Sequence, residues 1–260
     1  EIGVRLVGSE MCIRDSNITI DTDIDLTGKD WTPIGTDYDN SYKGTFDGGG
    51  HTITGLTFTT NDEFAGLFGW LNRAGTVKNV VMEGVQITNN HSSSFAGGVA
   101  GFSWGTIENC SVSGSVSGTV YVGGVVGAQW GGTTTGCSSS ATVKGMVDVG
   151  GVAGQTNGSA TLTACYATGN VTSTGSSTGK VHIGGFLGDN YTTVTACYWK
   201  NNHEQGFGYK KAGTGTEVTK VDGSVVTWQK AVDAMNNALQ NAGSKWRYEL
   251  NGTLPTLRKQ

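Results

Sequence analysis

Proline is nearly missing from this chain, with two in 260 residues. That scarcity excludes a proline-rich linker, and 43 glycines without a G-X-Y period exclude a collagen-like helix. Charged residues make up only 15% of the chain, and the net charge of −4 argues against a partner held through nucleic-acid phosphates. No apolar run reaches the 18 or so residues that a membrane-spanning helix needs. Neither an HExxH metalloprotease motif nor the leucine grid of a leucine-rich repeat occurs. The glycine-rich blocks are not phosphate loops, because no Lys-Ser/Thr follows them and no helix begins there. Apolar residues nevertheless recur throughout at 36% of the total, so a core can form, and one elongated domain is the default expectation.

The first 16 residues stand apart from the rest. LVGSEMCIRDS (6–16) has no period of 2 or 3.6, and Met11–Ser16 back-translates to ATG TGT ATA AGA GAC AGN. That string resembles the transposon end of a fragment-sequencing adapter, and Leu6–Glu10 fits the sequence attached to it. Residues 1–16 are therefore expected to be adapter-derived rather than native, and a native beginning with its leader is expected to be missing. Setting them aside removes Cys12, leaves four of the five cysteines, and changes the net charge to −3.

What remains is a repeat. FAGLFG (64–69), AGGVAG (96–101), VGGVVG (122–127), VGGVAG (149–154) and IGGFLG (183–188) align. Each is followed by a second block, as in GTVKNVVMEG (75–84), GTIENCSVSG (105–114) and ATLTACYATG (160–169). The closing glycines lie 32, 26, 27 and 34 residues apart, so length varies only where a loop can be inserted. Apolar and polar residues alternate with period 2 inside each block, which predicts short strands. Stacked units place Leu67, Val99, Val125, Val152 and Phe186 in one inward column, and Val77, Ile107, Thr134, Leu162 and Val194 in another. A third column, Gly66, Gly98, Gly124, Gly151 and Gly185, predicts positive φ or close backbone approach. The fold class expected is all-β: a parallel β-helix with rungs about 4.8 Å apart, each covering its neighbour.

Cys110, Cys137, Cys165 and Cys197 share one repeat position, 27, 28 and 32 residues apart. Adjacent rungs bring such residues close, but stacked side chains rarely have the dihedral a disulfide needs. Four buried thiols acting as small apolar residues are expected, and no Cys-x₂-Cys spacing supports zinc.

These blocks together resemble the GLUG motif: AGLFG or GGVAG followed by an Asn-Cys or Ala-Cys-Tyr block. IDLTGKDWTPIG (24–35) and GTFDGGGHTITGL (44–56) resemble the lead-in coils that accompany it. The resemblance covers about residues 18–200. It implies a right-handed parallel β-helix from a bacterial surface or secreted protein, typical of gut Bacteroidetes or Firmicutes. GLUG repeats also occur beside immunoglobulin A peptidase domains, whose HExxH is absent here. The resemblance transfers no catalytic residue and no cofactor.

Residues 17–200 are thus expected to form the β-helix and residues 201–260 a small α+β cap. Thr227 is a plausible N-cap for a helix over about 228–241, ended by Gly243. Trp228, Val232, Met235 and Leu239 give that helix one apolar stripe, and KWRYELNGTLPTL (245–257) predicts a closing hairpin. The cap is expected to cover the last rung, whose strand edges and apolar surface would otherwise be open.

Candidate chemistry is sparse. Glu83, Glu108, Asp148 and Asp189 occupy different repeat positions and are not expected to cluster; His51, His91, His182 and His203 are scattered. Asp21, Asp23 and Asp25 share a strand face, but Leu26 stands where a calcium loop needs glycine. No catalytic or metal residue is assigned. Three residues after the closing glycines lie Asn72, Trp104, Trp130, Asn157 and Tyr191, while Phe95 and Tyr121 precede the next block and are expected to face out. Two readings fit these rings. They pack over neighbouring loops, or Trp104, Trp130, Tyr191, Phe95 and Tyr121 form a ligand-binding face on which sugar rings stack. The function expected is an extracellular, non-enzymatic surface or adhesion module with a glycan or a host surface protein as partner. A polysaccharide lyase or glycoside hydrolase on a β-helix is the alternative. A lower one is ice binding by the aligned Thr76, Thr106, Thr133, Thr161 and Thr193.

Overall fold

The computed structural model describes residues 14–175, 180–211 and 218–260. The chain coils into a parallel β-solenoid with four ladders running along its length. A representative coil begins with Thr76–Lys78, turns into the long strand Val81–Asn89, passes through Phe95–Ala96 and Ala100–Ser103, and reaches Thr106–Glu108 one rung up. Thr76–Lys78 belongs to a seven-stranded sheet, Phe95–Ala96 to a five-stranded one and Ala100–Ser103 to a six-stranded one. Val81–Asn89 lies in the fourth and largest sheet. Every pairing within these sheets is parallel, and the register steps from coil to coil without a slip in the first: Val77, Ile107, Thr134, Leu162 and Val194 are mutual partners.

The period-2 alternation explains the core. Residues at alternate positions point inward and stack on their counterparts, giving one continuous cluster from Ile20 to Val218. Leu67, Val99, Val125, Val152 and Phe186 are all buried within it. The glycine column at 66, 98, 124, 151 and 185 is explained by close approach and not by positive φ. A Cβ on Gly124 would lie 2.0 Å from the Ser139 Oγ, and one on Gly151 would lie 2.4 Å from the Gly185 carbonyl oxygen. One left-handed residue per coil sits instead at the corner before the cysteine position, which Val80 fills in the first of these coils: Asn79, Asn109, Gly136, Ala164 and Ala196 have φ of 57°, 53°, 64°, 53° and 49°. Asn79 donates to Asp47 Oδ1 at 2.8 Å, and Asn109 donates to Asn79 Oδ1 at 3.1 Å, so the first two corners are tied by an amide ladder. Next to them the four cysteines are buried and free.

Beyond residue 200 the coils continue. Phe207–Lys210 pairs with Leu187–Asn190, and Thr219–Lys220 pairs with Tyr198–Trp199. The helix, α1 (Trp228–Asn241), is the single helix among the described residues; Thr227 caps it by accepting from the Lys230 N–H. An antiparallel hairpin, Trp246–Glu249 with Thr256–Lys259, follows.

This C-terminal unit does not close the last rung, as the sequence had suggested. It lies along the flank of the solenoid, where α1 and the hairpin bury Ala164, Tyr166 and Tyr198 together with Trp228, Val232, Met235, Leu239 and Tyr248. The Tyr248 hydroxyl donates to the Ala164 carbonyl at 2.9 Å, and the Tyr166 hydroxyl donates to that of Pro255. The physical reason is that Tyr166 and Tyr198, register partners on neighbouring strands, project outward and make an apolar flank that α1 and the hairpin cover. Of the segment read as adapter-derived, residues 1–13 lie outside the described residues. The carbonyl of Arg14 accepts the Lys43 N–H at 2.7 Å, and that of Ser16 accepts the Tyr42 hydroxyl at 2.9 Å. No helix among the described residues is long and apolar enough to cross a membrane.

Candidate functional site

Two of the ladders meet on the outside of the solenoid. After Phe95–Ala96 the chain turns through Gly97, Gly98 and Val99 and returns as Ala100–Ser103, so the outward side chains of the two strands face each other. The closing glycines make the fold-back possible. A Cβ on Gly127 would lie 2.4 Å from the Gly101 carbonyl and 2.7 Å from the Ala96 nitrogen; on Gly154 and Gly188 it would lie 2.4 Å from the nitrogens of Val122 and Val149. Any other residue there would pry the two strands apart.

The resulting notch is lined by two columns. Phe64, Phe95, Tyr121, Asp148 and His182 are register partners on one side. Trp70, Phe102, Ala128, Gln155, Asp189 and Tyr209 are partners on the other. The first coils are aromatic and the last ones polar, so the chemistry of the notch changes along the solenoid.

In the aromatic half, Phe64, Phe95, Phe102 and Ala128 form a buried cluster distinct from the inner core, with Trp70, Trp104, Tyr121 and Trp130 packed half-buried against it. Phe64 stacks on Phe95 at 5.1 Å between centroids, Phe95 meets Tyr121 at 4.6 Å, and Phe102 meets Trp130 at 5.2 Å. Tyr38, 58% exposed, sets its edge against both Trp70 and Trp104. Phe95 thus points out of the core but is covered, at 8% exposure, because rings on adjacent rungs shield it from solvent. Trp104, Trp130 and Tyr121 belong to the same cluster. Tyr191 does not; it stands at the polar end, 5.9 Å from Tyr209 and under the Lys211 ammonium. Sequence reasoning missed Phe64, Trp70 and Phe102, which occupy the two facing columns, and Tyr38, which comes from a turn before the repeats.

The polar half corrects a second expectation. Asp148, His182 and Asp189 come together, with one ligand-type atom of each within 4.8 Å of the others. His182 Nδ1 is 2.8 Å from Asp148 Oδ1 and 3.7 Å from Asp189 Oδ2. The Gln155 amide bridges the acids, its Nε2 donating to Asp189 Oδ2 at 3.2 Å and to Asp148 Oδ2 at 3.4 Å. Its Oε1 accepts from Trp130 Nε1 at 2.8 Å, which joins the two halves of the notch. The cluster escaped a linear reading because Asp148 and His182 precede the glycine block while Asp189 follows it, and the fold-back brings those positions face to face. Burial, and then repulsion from Asp189, push the Asp148 carboxyl up to about 6 against its bonds from His182 and Gln155. Burial also raises Asp189, and it raises Tyr121 beside the two acids.

The threonine column also exists. Thr76, Thr106, Thr133, Thr161 and Thr193 are partners on the outer face of the first sheet, interrupted beside them by Lys78 and Glu108. Thr133 and Thr135 share a groove with Gly243, Ser244 and Trp246 of the C-terminal unit, so part of that face is flanked and not an open plane.

Residues 93–117 match the family described as the GLUG motif, a segment holding Phe95, Phe102 and Trp104 of the notch. Halomucin of Haloquadratum walsbyi is 32% identical over 136 residues, 48% of this chain and 2% of halomucin. A Gly-rich protein of Evansella cellulosilytica, provisionally named a membrane protein, is 37% identical over 97 residues, 35% of this chain and 11% of that protein. The chain therefore corresponds to a small part of either relative. Among solved structures, a Bacteroides ovatus protein provisionally described as an immunoglobulin A1 protease superimposes with a TM-score of 0.70 at 17% identity. The match covers 98% of this chain and 90% of that one, a likeness of fold.

Proposed function

We propose that this GLUG-motif repeat protein, a parallel β-solenoid, is an extracellular, non-enzymatic surface module that binds glycan along the aromatic half of its outer notch. The observation that carries the reading is the second aromatic cluster itself. The solenoid already has a continuous inner core, yet it places Trp70, Trp104, Tyr121 and Trp130 half-buried on a separate base of phenylalanines. Rings so held are rigid and keep a partly open edge or face. Pyranose rings stack on such surfaces, because their apolar C–H face matches an aromatic plane while flanking polar groups take the hydroxyls. Tyr38 and Arg73, the latter 5.6 Å over the Trp104 ring, supply polar atoms at the rim. The strip runs across several successive coils, which suits an extended chain better than a single sugar.

A glycan array probed with the wild-type chain and with a Trp104→Ala/Trp130→Ala variant tests the reading. Binding to a defined glycan class that falls at least tenfold in the folded variant supports it. Unchanged binding in that variant, or no binding by the folded wild type, removes the aromatic notch as a glycan site and leaves the rings as packing.

A further inference from the structure

We infer that Asp148, His182 and Asp189 form a binding site for a divalent transition-metal ion, of which zinc is the best-suited probe. The three side chains come from adjacent rungs and face one another across the notch, presenting one imidazole nitrogen and two carboxylates. Zinc bonds of about 2.0–2.2 Å require ligand atoms roughly 3–3.5 Å apart. The His182 Nδ1 to Asp189 Oδ2 separation of 3.7 Å and the His182 Nδ1 to Asp148 Oδ1 separation of 2.8 Å bracket that value. Small side-chain adjustments would suffice.

An independent observation points to a ligand. Asp189 is only 3% exposed, and although the Tyr191 side chain interacts with its carboxyl, Oδ1 is buried without a hydrogen bond of ordinary geometry. A buried carboxylate oxygen left bare is costly, and native structures rarely tolerate one. The environment also concentrates negative charge: two buried acids share one imidazole in direct contact, with the Lys180 ammonium acting on Asp189 from outside the cluster. A divalent cation held by both oxygens of Asp189 would engage the bare Oδ1 together with Oδ2 and offset the charge.

The surroundings have the form of a supporting shell. Gln155 pins Oδ2 of both acids and is itself fixed by the Trp130 indole. Ligands held this way keep their orientation, which raises affinity. The imidazole nitrogen favours zinc, copper, iron or nickel over magnesium, calcium and manganese, which prefer oxygen ligands. Tyr209, 40% exposed and 5.1 Å from the His182 ring, marks the side open to solvent, where water or a ligand oxygen would complete the coordination.

Calorimetric titration of the chelator-treated chain with zinc, manganese, magnesium and calcium chlorides tests the site. One zinc per chain is expected, bound at least tenfold more tightly than magnesium or calcium. His182→Gln and Asp189→Asn should each weaken zinc binding at least tenfold, and Gln155→Ala by about tenfold. No zinc binding by the folded wild type, a preference for calcium or magnesium, or undiminished zinc affinity in folded His182→Gln would overturn the assignment. If Asp189→Asn does not fold, His182→Gln decides, since its side chain is 17% exposed at the rim. No glycan enters this experiment, so its result is independent of the glycan reading.

Discussion

The indole Nε1 of Trp130 donates to Oε1 of Gln155 one coil further on, at 2.8 Å, and this bond joins the aromatic and polar halves of the notch. It also fixes which way the Gln155 amide points, because Oε1 is engaged and Nε2 is left to donate to both acids. Trp130→Phe keeps a ring on Phe102 but removes the donor. The buried amide then loses one partner, and we expect a stability loss of about 1 kcal/mol. Urea denaturation of the two proteins, with unchanged m-values, measures it.

The fold-back at the closing glycines makes a sharper demand. Gly127→Ala would put a Cβ within 2.4–2.9 Å of three backbone atoms, none of which can rotate away. Overpacking of this kind costs about 1–3 kcal/mol or more, and the strands of two coils would have to separate. Gly131→Ala is the matched control, for its nearest neighbour, Trp104 Cδ1, would be 3.5 Å away. Thermal unfolding should show a large drop for the first and almost none for the second.

The columns of the inner core were legible in the sequence because a solenoid repeats its environment at every rung. Val77, Ile107, Leu162 and Val194 align in sequence for the same reason that they stack in space. The notch was legible only by halves. Phe95 and Tyr121 share a column with Asp148 and His182, so their alignment held the cue, but nothing local says that the strand after the glycines folds back upon them. The flank position of α1 depends on outward Tyr166 and Tyr198, which alternation alone marks as surface. Pairwise proximity across a turn is a tertiary fact, and a one-dimensional repeat does not encode it.

The left-handed corners offer a stabilising change. Ala196 has φ of 49°, a conformation that costs an L-residue about 1–2 kcal/mol and glycine almost nothing. Gly136 already occupies the equivalent corner. Glycine loses about 0.5–1 kcal/mol through the greater freedom of the unfolded chain. Ala196→Gly should therefore raise stability by roughly 0.5 kcal/mol, seen as a later urea midpoint. A destabilised variant would show that the methyl group's contact with the C-terminal unit outweighs the relief of strain.

The cysteine column should be chemically silent. Cys110, Cys137, Cys165 and Cys197 are at most 1% exposed; burial raises the Cys137 and Cys197 thiols well above their ordinary range, while at Cys165 the hydrogen bonds from Cys137 and Cys197 overcome burial and lower it, so its protection is lack of access. Only thiolate reacts quickly with disulfide reagents. None of the four should be labelled in the folded chain, and all four should react at once in denaturant, as mass spectrometry of the labelled peptides would report. Labelling of any one under native conditions would mean that the coil opens locally.

Asp47 sets the clearest acid dependence. Partial burial disfavours its charge, but the Gly49 N–H at 3.0 Å, the Asn79 amide at 2.8 Å and Lys78 at 3.4 Å outweigh that and hold the carboxyl below its usual 3.8. A folded-state value below the unfolded one means that the native state binds fewer protons. Its contribution is therefore complete at neutral pH and is lost as pH falls through the folded value. Asp47→Asn keeps the shape and removes the charge. The wild type should be more stable than the variant by about 1 kcal/mol at pH 7, toward the low end for charged hydrogen bonds because solvent reaches the carboxylate. The gap should stay constant down to about pH 5, narrow below 3.8 and close once Asp47 is protonated in the folded chain. Urea midpoints at pH 7, 5 and 3 follow it. A gap that persists undiminished at low pH would assign the effect to the geometry of the amide ladder and not to the charge.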